Sequence, residues 1–199
     1  MRAVGFKEFG DPEVLEVMDI PEVYASQGEI RIKNYASAVN PTDIVSRSGL
    51  IAQFRKDYPL PAVPGMDISG IVDQVGEGVE TGVSIGDQVM GMVIPNALHG
   101  AYSEQITLNQ FAVVKAPKGF SFVESATLPM NGLTARLSLD LLNLTKGQVV
   151  AVTGGPGAYG GYVIQLAKAD GLIVIADSNE SDIEPVSYTH LRAHETKSY

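Results

Sequence analysis

Between an apolar, strand-like run, QVVAV at 148–152, and a helix-like run, YVIQLAKA at 162–169, the chain reads TGGPGAYGG, with five glycines in nine residues. A second apolar run, GLIVIADS at 171–178, follows. Strand, glycine loop, helix, strand is the order of a βαβ unit, and its length is right for one. Within the loop, Gly155-Pro156-Gly157-Ala158-Tyr159-Gly160 matches G-x-G-x-x-G, and Asp177 stands at the end of the second predicted strand. In that setting Gly155 allows a tight turn, Gly157 lets backbone approach a pyrophosphate, and Gly160 lets helix and strand pack closely. The N–H groups at the helix start, with the helix dipole, then suit an anion. Pro156 removes one donor. The plain alternative is a tight βα turn that binds nothing.

The first 115 residues have a different rhythm. RAVGF, VLEVMDI, GEIRIKNYA, DISGIVDQV, GDQVMGMVI and YSEQITL read as short strands separated by turn residues, the signature of a β-barrel or sandwich. In GEIRIKNYA, Ile30 and Ile32 face one way and Glu29, Arg31 and Lys33 the other. Asn40-Pro41 reads as a helix start and Gly49 as its stop. From about residue 121 the spacing becomes helical, with Leu133, Leu137, Leu141 and Leu144 expected along one face.

Composition narrows the partners. The net charge of −9 disfavours nucleic acid and anionic membrane surfaces. The chain has no cysteine, which removes disulfides, thiolate metal ligands and a cysteine nucleophile. The opening MRAVGFKEFGD has no signal-peptide core, and no apolar run is long enough to span a bilayer, so a cytoplasmic protein is expected.

FGDPEVLEV, NPTDIVSRSG, PAVPGMDISGIVDQVGEGV, GDQVMGMV, HGAYSEQ, SATLPMNGLTA and TGGPGAYGGYVIQLAK, in this order, resemble the medium-chain dehydrogenase/reductase superfamily. The nearest branch is the zinc-independent quinone oxidoreductase (ζ-crystallin-like) group, and the resemblance covers residues 1 to about 183. It implies a mixed β and α/β fold: a GroES-like β-barrel substrate domain over 1–120, then the first βαβ unit of a Rossmann NAD(P)-binding domain over 121–183. Residues 184–199 carry two of the three histidines, His190 and His194, without apolar period, and read as a non-native tail. Members of the superfamily are much longer, so the chain reads as a C-terminally truncated, inactive fragment.

The resemblance also bears on metal. Zinc-dependent relatives have a cysteine where Asn40 stands and a His-Glu pair where Met66-Asp67 stands. An amide, a thioether and one carboxylate are a poor donor set for catalytic zinc, so no zinc is expected. The activity implied is a zinc-independent, NAD(P)H-dependent oxidoreductase that passes hydride to a quinone, enone or similar activated carbonyl compound. Its cofactor is NADPH or NAD(H), its partner is a small-molecule substrate, and the full-length form is compatible with a homodimer. The expected cofactor-binding residues are Gly154, Gly155, Gly157, Ala158, Tyr159, Gly160, Asp177, Ser178, Asn131 and Thr134. Asn40 and Thr134 are the expected positioning residues for substrate and nicotinamide. Each has a local alternative: Asn40 caps a helix, Thr134 bonds its own helix backbone, and Asn131 forms a turn. Ile44 replaces a tyrosine of several relatives. His99 reads as a loop residue, and Asp43 and Asp67 as caps or turn formers. The competing function is a non-catalytic GroES-like binding or structural module.

Overall fold

The computed structural model describes residues 1–54 and 57–178. The expected tail at 184–199 lies outside the described residues. The chain divides into two compact units, Met1–Met130 and Asn131–Tyr199.

Among the described residues the first unit has seven strands: β1 (Arg2–Gly5), β2 (Glu16–Asp19), β3 (Glu29–Ala36), β4 (Asp67–Val75), β5 (Gln88–Met92), β6 (Gln105–Asn109) and β7 (Val113–Lys115). β1 and β2 pair antiparallel, and the other five form an antiparallel sheet in the order β6-β3-β4-β5-β7. The alternation along β3 is realised, with Ile30 and Ile32 fully buried. They pack with Ile68, Val72, Val89, Val93, Ile106 and Leu108 in one apolar core. β4 runs through the middle of that sheet and is buried almost throughout its first half, including Asp67 and Ser69. Truncating Ile32 to alanine is expected to cost about 2–5 kcal/mol of stability, because the surrounding sheet cannot collapse onto the cavity. Chemical denaturation of the purified protein measures it, and a loss below about 1 kcal/mol would place Ile32 outside the packed core.

Short helices fill the connections of this unit. α1 (Pro41–Arg47) begins with Asn40 as N-cap and Pro41 at the first position. Asn40 and Asp43 form a capping box there. The chain leaves α1 through Gly49, whose φ of +82° favours glycine and whose missing side chain leaves room for the Phe9 ring. α2 (Ile51–Phe54) follows. α3 (Phe122–Ala126) starts at a second capping box, Ser121 with Glu124. The Phe122 ring stacks on Tyr35 of β3 with centroids 4.6 Å apart. This contact ties residues beyond 120 to the sheet, and the first unit runs on to Met130.

The second unit contains most of α4 (Pro129–Leu142), then β8 (Val149–Val152), α5 (Ala158–Ala169) and β9 (Ile173–Ala176). β8 and β9 are parallel and in direct register, Val149 opposite Ile173 and Val152 opposite Ala176. Parallel neighbours need a crossover, and α5 supplies it. Val150 and Val152 pack with Val163, Ile164, Ala167 and Leu172 in a separate core. α4 contributes Ala135 and Leu139 to this core. The expected leucine face is turned the other way, with Leu133, Leu137 and Leu141 exposed. Periodicity identified the helix, but small Ala135 marks the side that approaches the core. Asn143, with φ of 48°, closes α4 in the left-handed conformation that asparagine tolerates.

Candidate functional site

The glycine loop occupies the turn from β8 into α5. Gly157 is the N-cap of α5, in extended conformation, and no side chain caps the helix. A helix of this length begins with N–H groups that have no partner in the previous turn. Here they belong to Ala158, Tyr159 and Gly160, whose N–H groups head the helix. The three glycines of the motif do separate jobs. A methyl at Gly160 would collide with the Gly154 carbonyl and lie 2.9 Å from its carbon and 3.0 Å from Gly155 Cα. A methyl at Gly155 would meet the Asp177 carbonyl at 2.8 Å and Ala176 Cβ at 3.1 Å. At Gly157 it would meet only the Gly154 oxygen, at 3.2 Å. Thus Gly155 and Gly160 are required by packing of loop, strand and helix, whereas at Gly157 an added carbon meets a single backbone oxygen, tightly, and no side chain or strand. A dinucleotide pyrophosphate fits this chemistry: bare backbone, N–H groups and the positive end of a helix dipole.

Asp177 follows β9 and turns to the loop. Its Oδ1 accepts hydrogen bonds from Gly154 N at 2.6 Å and Gly155 N at 3.3 Å. The residue expected to meet a ribose therefore also holds the loop that would bind the pyrophosphate. Ser178 is the next residue and the last one described. Tyr159 and Thr134 are joined through Ser138, which the sequence did not single out. The Tyr159 hydroxyl donates to Ser138 Oγ at 2.7 Å, and Ser138 Oγ donates to the Thr134 carbonyl at 2.8 Å. The signal for Ser138 was its place one turn after Thr134, where a helical hydroxyl commonly bonds back to the i−4 carbonyl. Asn131 lies within the first turns of α4 and not in a turn. Arg136 bridges Asp140 and Asp170, which fastens α4 to the end of α5.

In the first unit, Asn40 sits in a buried polar cluster. Asn40 is 3% exposed, Asp43 6% and Asp67 1%. Asn40 N donates to Asp43 Oδ2 at 2.8 Å, and Asn40 Nδ2 donates to Asp67 Oδ2 at 2.6 Å. Asp43 Oδ1 accepts from Gly65 N at 2.8 Å, and Tyr102 donates its hydroxyl to Asp43 Oδ2 at 3.2 Å. Met130 N donates to the other Asp67 oxygen, Oδ1, at 2.6 Å. Burial raises the Asp67 carboxyl above its ordinary pKa, opposed by these two hydrogen bonds and assisted by nearby Asp43. Burial likewise raises Tyr102, with the charge of Asp43 adding to it. Met66 accepts the Thr42 hydroxyl on its sulfur at 3.2 Å. Among the described residues no three His, Cys, Asp or Glu side chains are grouped so as to hold a metal. His99 pairs through its backbone with Asn96, and burial pushes its imidazole below the usual value. Ile44 is half exposed on α1. No described helix is long and apolar enough to cross a membrane.

A GroES-like barrel followed by a βαβ unit with a glycine-rich turn defines a class: the dehydrogenases and reductases of the medium-chain type. Residues 26–134 match the family described as alcohol dehydrogenase GroES-like domain, and the chain belongs to that family. It falls in the quinone oxidoreductase branch of the medium-chain dehydrogenase/reductase superfamily. The chain is 35% identical over 177 residues to 2-methylene-furan-3-one reductase of Solanum lycopersicum, covering 84% of this chain and 44% of that protein. It is 33% identical, with the same coverage, to the chloroplastic NADPH-dependent alkenal/one oxidoreductase of Arabidopsis thaliana. The solved quinone oxidoreductase from Coxiella burnetii superposes with a TM-score of 0.83 at 33% identity, over 95% of this chain and 60% of that one. The chain thus spans about half the length of the relatives it matches.

Proposed function

We propose that the protein is an NAD(P)H-dependent oxidoreductase that reduces an activated carbonyl compound, a quinone or an α,β-unsaturated ketone or aldehyde, without zinc. The observation that carries this reading is the start of α5: a glycine N-cap whose only close neighbour is a backbone oxygen, ahead of first N–H groups that no side chain caps. The relatives' names supply the substrate classes: a furanone reductase, an alkenal/one oxidoreductase and a quinone oxidoreductase.

On this reading Ala158, Tyr159 and Gly160 bind the pyrophosphate through backbone N–H groups, and Gly154, Gly155 and Gly157 shape the loop around it. Asp177 fixes that loop and presents its carboxylate toward the adenosine ribose. Asn131 and Thr134 are assigned to the nicotinamide side, with Ser138 and Tyr159 steadying the Thr134 turn. A bound nicotinamide supplies the hydride. Asn40 orients the acceptor. A conjugated acceptor takes hydride without a Lewis acid, and the residues at the relatives' zinc positions support a metal-free course. Asn40 turns an amide N–H, which is no metal donor, toward Asp67, and the Met66 sulfur accepts a hydroxyl.

The test is a melting curve of the purified chain with NADH, NADPH and no addition, followed by oxidation of the reduced nicotinamide with a quinone, an enone and a saturated ketone. A stabilisation that grows with dinucleotide concentration is expected, and a form of the relatives' full length is expected to turn over the conjugated acceptors only. No shift with either dinucleotide would favour a binding or structural module. Because the chain spans about half of its relatives, turnover by this chain alone is the step that the second assay decides.

A further inference from the structure

A cavity of about 310 Å³ lies in the first unit, walled by the start of the chain, the segment after β2 and the turn before β6. Its lining is largely apolar and includes Ile20, Val23, Leu98 and Ile106. That volume is at the low end of ligand pockets and suits a small molecule. The cavity shares no lining residue with the cluster of Asn40, Asp43 and Asp67. Most polar groups on its wall are already engaged. The Met1 ammonium donates to the Ile20 carbonyl at 3.0 Å. The Ser103 hydroxyl lies 2.8 Å from the Gly100 carbonyl and 2.9 Å from that of Gln105. Asn96 is partnered, and Gln105 Oε1 is buried out of reach. His99 differs. Its backbone pairs with Asn96, but its imidazole has no hydrogen-bond partner among the described residues.

The turn that carries Leu98 and His99 is held firmly. Ala97 has a φ of 50°, a left-handed conformation that alanine adopts only at a cost. Asn96 and His99 pair across the turn, and the Ala97 carbonyl accepts from Val63 N at 2.8 Å. A side chain at Gly100, the next residue, would collide with the Val63 and Pro64 carbonyls. Strained backbone persists where its surroundings fix it, and it gathers at binding sites.

We propose that this cavity binds a small apolar molecule carrying one hydroxyl, of which phenol is the simplest, with its ring on the apolar wall and its hydroxyl on the His99 imidazole. Burial pushes that imidazole below its usual pKa, against the pull of Glu29, so it is uncharged at neutral pH. An uncharged imidazole offers one acceptor nitrogen to a hydroxyl. A hydrocarbon of the same shape leaves that acceptor unpaired. A carboxylate would give up its hydration to meet a neutral ring.

Phenol, toluene and benzoate, titrated into the purified chain, test the site. The readout is the His99 imidazole proton signals, assigned by their loss in His99→Leu. Phenol is expected to move these signals saturably, with a Kd on the order of 1 mM for so small a ligand. Toluene is expected to bind about tenfold more weakly, the loss of one hydrogen bond in an apolar site. Benzoate is expected to leave the signals in place. In the variants, the Leu98 and Gly100 amide signals report binding. His99→Leu is expected to weaken phenol about tenfold, and Val23→Phe, which fills the cavity, to abolish its binding. Signals unmoved by phenol, toluene bound as tightly as phenol, or phenol still bound by Val23→Phe would overturn the site. Benzoate bound in preference to phenol would overturn hydroxyl recognition and give the cavity to the Met1 ammonium. The three probes on the wild type decide the matter even where a variant does not fold.

Discussion

Gly157→Val is expected to leave the protein folded and to weaken dinucleotide binding by at least about a hundredfold, roughly 2.7 kcal/mol. The backbone at Gly157 has φ of −69°, which any residue adopts, and an added Cβ meets only the Gly154 oxygen. That contact is tight, at 3.2 Å, so the Gly154 carbonyl must give a few tenths of an ångström, and the branched side chain then lies beside the helix start. Gly160→Val is the contrasting control. Its Cβ would be driven into the backbone of Gly154 and Gly155, which cannot move aside without separating α5 from β8. That variant is expected to lose the second unit's cooperative unfolding as well as binding. Titration calorimetry with NADH and NADPH, beside melting curves of both variants, separates the outcomes. If Gly157→Val binds the dinucleotide as the wild type does, the space beside the helix start serves no pyrophosphate, and the loop is a turn alone.

The wild type is expected to bind NADH at least about tenfold more tightly than NADPH, and Asp177→Asn to erase most of that difference. An NADPH 2′-phosphate placed about 4 Å from a carboxylate would meet a repulsion near 4 kcal/mol at an effective dielectric of about 20. Asp177 is exposed, so solvent and salt reduce this, and tenfold, about 1.4 kcal/mol, is the safer expectation. The residues that follow, SNESDIE, contain no lysine or arginine to neutralise it. The Arabidopsis relative is named for NADPH, so the expectation divides this chain from that one. Asp177 accepts from Gly154 N and Gly155 N, so alanine or serine would loosen the loop and lower both affinities together. Asparagine keeps an acceptor for those amides and removes only the charge. Tighter binding of NADPH by the wild type, with the ratio unchanged in Asp177→Asn, would show that the carboxylate serves the loop and does not face the ribose.

The βαβ unit was legible because its signals are local. Apolar runs of strand length, a helix-length run between them and glycines at the joins need no knowledge of distant residues. The alternation of Ile30 and Ile32, the Asn40-Pro41 helix start and Gly49 after α1 were readable for the same reason. The exposed leucines of α4 were not. Period 3.6 shows that a helix has faces, but which face is covered depends on what packs there, and small Ala135 admits the closer approach.

The chain's order of elements, its glycine loop and the donor types at Asn40, Met66 and Asp67 were determined by the sequence alone, since each is a matter of residue identity and short spacing. Tertiary structure decided which of those residues meet. It put the Asp67 carboxylate between Asn40 and Met130, residues 27 and 63 positions away, and bent Asp177 back onto a loop 22 and 23 residues earlier. It also set the clearances at Gly155, Gly157 and Gly160, to which the motif had already given separate roles. The physical reason is common to all three cases. Hydrogen-bond partners and steric room are set by distances between segments, and those follow from burying two separate apolar cores, not from any local run of residues.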